Sequence, residues 1–373
     1  MQGCFASGRA RSGLCDPLSD SAVRMMEPGG VPLEAGTTGR IDGARVALDA
    51  MGGDRGAEIN VQGAVLAARE LGASVILVGI EEELRNHLRQ HAVQGLHLTL
   101  RHAPEVVNMG ESPSTAVRRK KQSSIRIGMD LVKRGEAEAF VSAGNTGAVM
   151  ATAMLTLGML PGVERPAIAV VVPTLTGRAV LLDAGANVDC KPRHLTQFAI
   201  MGNVYARDVL GLARPRVGLL SIGEEESKGN ELTKEVFKEL EDEASLNFIG
   251  NVEGRDVFNG NSDVIVCDGF TGNVALKISE SVLDTMFTLL REELGRDLRG
   301  KAGSLLLLPA FKRFKRRVDP TELGGAPLLG VNGVCVISHG RSTGNAIKNA
   351  IRAARECVAN KVISHIREGI AQS

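Results

Sequence analysis

The chain has 373 residues, 44 Lys and Arg against 43 Asp and Glu, one Tyr and no Trp. That length allows one large α/β domain or two smaller ones, and either can bury a sizeable core. A net charge of +1 exerts no general pull on polyanions, and the shortage of aromatic rings argues against the stacking platforms that hold single-stranded nucleic acid.

Six cysteines at 4, 15, 190, 267, 335 and 357 form no C-x-x-C pair, which suits a reducing cytoplasm better than a disulfide framework or a zinc site. No apolar run reaches the ~18 residues of a membrane-spanning helix. Residues 1–43 are rich in Gly, Ser, Arg and Pro and lack both apolar periodicity and a signal-peptide core. They are expected to be a disordered leader, with Met25 or Met26 as an alternative start, and residues 44–373 to be the folded domain.

From Arg45 onward, short β-branched or apolar runs alternate with longer helical patterns. Strands are predicted at 45–49, 74–79, 96–102, 138–142, 167–172, 179–183, 216–221, 246–250, 263–267 and 334–338. Helices are predicted at 56–71, 193–210, 228–242 and 343–368, with a buried core helix near 148–160. This alternation predicts βαβ units and a mostly parallel sheet covered by helices.

Four predicted strands run into loops of one character: Ala143-Gly-Asn-Thr-Gly147, Ala184-Gly-Ala-Asn-Val-Asp-Cys-Lys-Pro192, Gly269-Phe-Thr-Gly-Asn273 and His339-Gly-Arg-Ser-Thr-Gly-Asn345. In open α/β sheets such loops sit at the carboxyl ends of strands, where ligands bind. Glycine lets the backbone approach closely, and helix N-termini offer N–H groups to an anion. A single Asn in such a loop is as well explained by helix capping; four loops of like chemistry favour a shared anion site.

Other motifs fail on inspection. Gly295-x4-Gly300-Lys301 resembles a phosphate-binding loop, but Ala302 replaces the magnesium-binding hydroxyl and a helix, not a strand, precedes it. The segment after Asp49 reads Ala50-Met-Gly-Gly-Asp54, without the dinucleotide fingerprint. Ser221 lacks the glycine of a hydrolase elbow, and no H-E-x-x-H occurs.

Seven motifs in order, ALDAMGGD (47–54), AVRRKKQSS (116–124), SAGNTGA (142–148), LLDAGANVDCKP (181–192), KGNELTK (228–234), FIGNVEGRD (248–256) and DGFTGNVALK (268–277), resemble the PlsX family of phosphate acyltransferases. The resemblance spans about residues 45–370. It implies a three-layer α/β/α fold similar to isocitrate and isopropylmalate dehydrogenases and to phosphotransacetylase. It also implies a cytoplasmic homodimer without cofactor or metal, and transfer of a fatty acyl group from acyl carrier protein to inorganic phosphate. The acyl phosphate formed would feed bacterial phospholipid synthesis through a membrane acyl-phosphate:glycerol-3-phosphate acyltransferase.

By the same resemblance Lys228 and Asn273 are the expected catalytic residues, the glutamates at 224–226 helping to keep Lys228 cationic. Gly52, Gly53, Asp54, Asn145, Thr146, Asn187, Lys191 and His339 are expected to line the phosphate and thioester pocket. The basic run Arg118, Arg119, Lys120 and Lys121 is read as a docking surface for the acidic carrier. Near 290–320, Leu305, Leu306, Leu307, Leu308 and Phe311 lie beside a basic cluster; an ordinary helix whose leucines face a dimer partner would read the same way, and the resemblance favours a projecting helical tip that touches a bilayer reversibly. No nucleic-acid partner is expected.

Two other classes compete. A decarboxylating dehydrogenase on a related fold would need a nicotinamide site and grouped carboxylates, for which Asp183 and Asp189, or Asp263 and Asp268, are the candidates. A non-catalytic surface-binding module would rest on residues 296–317, which hold eight Arg or Lys against one Asp.

Overall fold

The β-branched runs form strands and the apolar-periodic stretches form helices in the structure, a computed structural model that describes residues 43–318 and 324–373. The expected leader, Gly43 apart, lies outside the described residues. In chain order the first elements are β1 (Arg45–Asp49), α1 (Gly56–Leu71), β2 (Ser74–Gly79), α2 (Glu81–Leu88), β3 (Leu98–His102), α3 (Pro113–Arg119), α4 (Ser124–Lys133), β4 (Ala139–Ser142), α5 (Thr146–Thr156), β5 (Ala167–Ile168) and β6 (Val170–Pro173). There follow β7 (Arg178–Leu182), α6 (Pro192–Asp208), β8 (Arg216–Leu220), α7 (Glu231–Asp242), β9 (Asn247–Val252), α8 (Asp256–Asn259), β10 (Val264–Val266), α9 (Gly269–Gly295), α10 (Leu298–Val318), β11 (Ala326–Leu329), β12 (Val334–Ile337), α11 (Gly344–Ala359) and α12 (Val362–Gln372).

The strands make two sheets where the sequence suggested one. The first has the order β3-β2-β1-β4-β12-β11-β5 and the second β6-β7-β10-β8-β9. Most neighbours are parallel; β11, β5 and β6 supply the antiparallel pairings. The apolar run at 167–172, expected as one strand, divides at Ala169. Its first part pairs with β11 in the first sheet and its second with β7 in the other. The helix expected at 343–368 is likewise two, broken at Lys361, whose φ of 53° is left-handed.

Side-chain alternation explains the layers. Val46 and Leu48 of β1 enter a core shared with α1 and α11, whereas Ala47 enters a second core with α4 and α5. In the second sheet Val180, Leu182, Val217, Leu219, Val264 and Val266 join the first core together with α6. Leu181 and Ile265 pack on the opposite face with Val252 and Val257. Each such buried aliphatic side chain contributes about 1.5–3 kcal/mol. A one-residue slip would exchange the residues of the two faces and mismatch both cores, so the register, and with it the position of every following loop, is fixed.

Candidate active site

The first sheet reverses its strand order between β1 and β4, and the loops after β1, β4 and β12 leave its carboxyl end together. Their glycines touch: an added Cβ on Gly52 would stand 2.7 Å from the Gly144 nitrogen, and one on Gly53 would stand 3.1 Å from the Gly340 oxygen. The Asp54 N–H donates to the Gly340 carbonyl at 2.8 Å. Beneath them lies buried Asp49, which accepts from Ser142 Oγ at 2.7 Å and from the Met51 N–H at 3.2 Å. Burial pushes the Asp49 carboxyl above its ordinary value, against the pull of hydrogen bonds such as that from Ser142. Asn60 of α1 braces the loop, its Nδ2 lying 3.1, 2.7 and 2.9 Å from the carbonyls of Ala50, Gly52 and Gly56.

The second sheet repeats this plan. Its order inserts β10 between β7 and β8, so the loops bearing Asn187 and Lys228 and the start of α9, which bears Asn273, follow adjacent strands at one end; the stretch 269–273, expected as a loop, is already helix. Buried Asp183 takes the place of Asp49. It accepts from the N–H groups of Ile168, Gly185, Ala186 and Asn187 and from Asn187 Nδ2, at 2.7 to 3.1 Å. Burial raises its carboxyl and these donors oppose the shift. Gly269 and Gly272 sit so close to residues 183 and 187 that a side chain on either would collide with backbone. Neither acid was singled out by sequence reasoning for this role. The signal was present, since both follow the same Leu-Asp-Ala step, at 48–50 and 182–184.

The structure separates the predicted polar residues by what their side chains already do. Asn145 caps α5, accepting from the Ala148 N–H at 3.0 Å, and donates to the carbonyls of Met109 and Glu111. Asn187 donates to Pro166 and Asp183. Both amides are thus committed to loop architecture. Asn273 is the opposite case: the cap of α9 is Asp268, which accepts from the Thr271 N–H and hydroxyl, both at 2.8 Å. The Asn273 amide is exposed beside Gly185 and has no hydrogen-bond partner among the described residues.

Lys228 is exposed as well, and no carboxylate among the described residues lies within ion-pair distance of it. The neighbouring glutamates, expected to support it, form no ion pair with it; Glu224 pairs instead with Arg255 at 2.8 Å. Lys228 precedes Gly229, whose φ of 99° needs glycine, and then Asn230, which caps α7 through the Thr233 N–H. Lys191 is exposed; its N–H donates to Nδ1 of buried His194, which burial keeps below the usual histidine pKa. Thr146 and His339 are exposed, and His339 Nδ1 accepts the Arg341 N–H at 3.1 Å.

Two loop clusters therefore result. Gly52, Gly53, Asp54, Asn145, Thr146 and His339 belong to the first sheet, and Asn187, Lys191, Lys228 and Asn273 to the second. A cleft of about 10 Å³ opens in the first, lined by Gly52, Gly53, Asn60, Ala143, Gly340 and Ser342 among others. A larger groove of about 260 Å³, lined by Phe237 and Phe248, holds none of the expected catalytic or pocket residues. Three of the four carboxylates a dehydrogenase would need are engaged elsewhere, leaving exposed Asp189. Asp263 is bound by Arg216, Asp268 caps α9 and Asp183 holds its own loop.

Of the basic run, Arg118, Arg119 and Lys121 are exposed. Lys120 is instead half-buried, with its ammonium on Glu111 and on the Val106 carbonyl at 2.6 Å. Helices α9 and α10 form a hairpin whose turn lies at residues 296–297, so Leu305 to Leu308 stand on α10 and not at its end. All four are exposed, Leu306 at 82%; Leu298, unremarked in the sequence, is nearest the turn and exposed at 83%. Phe311 is half-buried, and Phe314 packs on Phe287 across the hairpin at 5.8 Å. No described helix is long and apolar enough to cross a membrane.

A family model described as fatty acid synthesis protein matches residues 44–365. A phosphate acyltransferase of Geobacter sulfurreducens is 57% identical over 324 residues, 87% of this chain and 93% of that one. Another, of Trichlorobacter lovleyi, is 54% identical over 88% of this chain and 95% of its own. Among solved structures, a phosphotransacetylase from Streptococcus pyogenes superposes with TM-score 0.56 at 18% identity, covering 85% of this chain and 94% of its own. A branched-chain phosphotransacylase from Enterococcus faecalis gives 0.54 at 15% identity, with 85% and 99% covered. These two likenesses establish the α/β fold.

Proposed function

Since the chain belongs to the fatty acid synthesis protein family and is an acyltransferase acting on phosphate, we propose that its acyl donor is a fatty acyl thioester of acyl carrier protein. The observation that carries the site assignment is the pair of uncommitted groups, Lys228 on the loop after β8 and Asn273 in the first turns of α9, which follows the neighbouring strand β10.

Phosphate is the nucleophile. A phosphate oxygen attacks the thioester carbonyl, the tetrahedral oxyanion collapses, the C–S bond breaks, and the carrier thiolate leaves to be protonated. Acyl phosphate and free carrier result. A thiol of pKa about 8.5 departs without a strong general acid. The protein need only hold the anion, donate to the oxyanion and align the two reactants. The Lys228 ammonium meets phosphate or the oxyanion, and the Asn273 amide donates to the same oxygen.

Among the described residues no cysteine supplies a covalent alternative. Burial pushes the Cys190 thiol up to about 11 and the Cys267 thiol well above its ordinary value, so both stay protonated. The reaction is accordingly sequential, without an acyl-enzyme.

The first-sheet loops, with Gly52, Gly53, Asp54, Thr146 and His339, form the remaining wall of the substrate site. Arg118, Arg119 and Lys121 receive the acidic carrier. The exposed apolar residues of α9 and α10 suit a homodimer and a reversible contact with the cytoplasmic membrane surface. There the acyl phosphate would pass to a membrane acyl-phosphate:glycerol-3-phosphate acyltransferase for phospholipid synthesis. The test is a carrier-bound acyl thioester incubated with and without phosphate. Release of free carrier should require phosphate and yield acyl phosphate in equal amount; phosphate-independent release would overturn the reading.

A further inference from the structure

The motif at 248–256 contributes nothing to the chemistry above, yet its side chains reach the loop that carries Lys228. Asn251 of β9 is 6% exposed, and its Nδ2 donates to the Glu225 carbonyl at 2.9 Å. That carbonyl also accepts the Lys228 N–H, at 3.0 Å. One oxygen with two lone pairs thus joins the strand to the backbone of the lysine. At the other end of the loop the Ser221 N–H donates to the Val252 carbonyl at 2.8 Å. Four residues beyond Asn251, Arg255 binds Glu224 at 2.8 Å and Glu253 at 3.3 Å.

Packing alone does not explain an asparagine here. A buried amide is costly unless its groups are paired, and the Asn251 Oδ1 finds no partner among the described residues. Its donor is the half in use, and it is used on the lysine loop. Arg255 complements it by drawing Glu224 into a pair of its own. The loop has little slack to find this shape otherwise, because a Cβ on Gly223 would stand 2.8 Å from Lys228 Cγ.

We propose that Asn251 is a positioning residue for Lys228, acting through the Glu225 carbonyl, with Arg255 securing Glu224 of the same loop. This rests on the reading of Lys228 as the residue that meets phosphate or the oxyanion. The experiment compares wild type, N251A, K228A and the double variant in acyl-carrier turnover with phosphate. It also follows acylation of the Lys228 ammonium in the folded protein by a lysine reagent, with Lys234 and Lys238 as internal standards.

N251A should lower kcat about tenfold, the effect of one lost hydrogen bond, with little change in KM for the carrier. In the K228A background it should have no further effect, because Asn251 acts only through Lys228. Losses that multiply in the double variant overturn the proposal. If K228A turns over like wild type, the catalytic reading of Lys228 fails separately. Labelling then decides this inference alone: a changed Lys228 rate in N251A is the expected result, and an unchanged rate overturns it. Should N251A not fold, R255Q at an exposed position replaces it. That variant should lose about threefold in kcat, as for a surface ion pair, with recovery in R255K; wild-type turnover and labelling in R255Q overturn the proposal.

Discussion

Gly185 rests against the side chain of Asn273, so that an added Cβ would stand 3.5 Å from both Cβ and Cγ of that asparagine. Its φ of 131° is open to glycine and strained for other residues. Asp183 holds the Gly185 N–H at 3.1 Å, while Asp268 caps the helix that carries Asn273. One acid thus sets each side of the contact. Gly185→Ala should cost about 1–3 kcal/mol through backbone strain and lower both the melting temperature and kcat. Thermal unfolding with steady-state kinetics checks it; a variant that melts and turns over like wild type would show the left-handed turn to be dispensable.

Lys228→Ala and Asn273→Ala should each reduce kcat by about 10²–10³-fold, the usual loss for an oxyanion donor. Both side chains are exposed, so both variants should keep the wild-type circular dichroism and melting temperature. Near-normal turnover in either would remove that residue from the chemistry. Asn145→Ala should behave differently, because its amide caps α5 and ties residues 109 and 111. There the primary loss should be stability, about 1 kcal/mol from the cap alone.

The buried thiols make a pH prediction. Cys190 is raised to about 11, and Cys335 and Cys357 to about 12, in each case chiefly by burial. Between the ordinary value of 9.0 and these values the folded chain holds more protons than the unfolded one. Their contribution to stability is therefore complete below about pH 9 and lost as pH rises toward 11 to 12. Denaturant midpoints should fall steeply over that window, and less steeply in Cys335→Ala plus Cys357→Ala. Iodoacetamide at neutral pH should leave turnover intact, and so should Cys190→Ala. Loss of activity on either treatment would reopen the question of an acyl-enzyme.

The strand-and-loop grammar was legible because the strands are buried on both faces and read as apolar runs, as in 139–142 and 264–266. What escaped was non-local. The run at 167–172 has one composition but serves two sheets, and only pairing with β11 and β7 divides it. Chain spacing marked Asn145, Asn187 and Asn273 as equivalents. Their roles diverge because the first two meet carbonyls from distant segments, at 109, 111 and 166, and the third meets none. Lys120 similarly looks like its basic neighbours until Glu111 folds onto it, holding that carboxyl below its usual range.

The helical hairpin offers two apolar surfaces, one on each helix. Val274, Ile278, Val282, Met286 and Leu290 recur every fourth residue along α9 and are all exposed. Each step turns about 40° round the helix, so successive members share a face and the row as a whole winds across the exposed side of α9. On α10, exposed Leu298, Leu305 and Leu306 lie among Arg299, Lys301, Lys312 and Arg313, the mixture an interfacial anchor uses. The α9 stripe should therefore meet a second copy of the chain, and the α10 leucines the bilayer. Ile278→Asp plus Met286→Asp should yield monomers in sedimentation velocity. Leu298→Glu plus Leu306→Glu should remain dimeric and active while losing its association with anionic vesicles. Wild-type binding should weaken as salt is raised from low to physiological ionic strength, because the headgroup attraction is screened beyond about 8 Å. If the α10 double variant becomes monomeric and the α9 variant does not, the two surfaces have been assigned the wrong way round; if the α10 variant still sediments with vesicles, the anchor lies elsewhere on the chain.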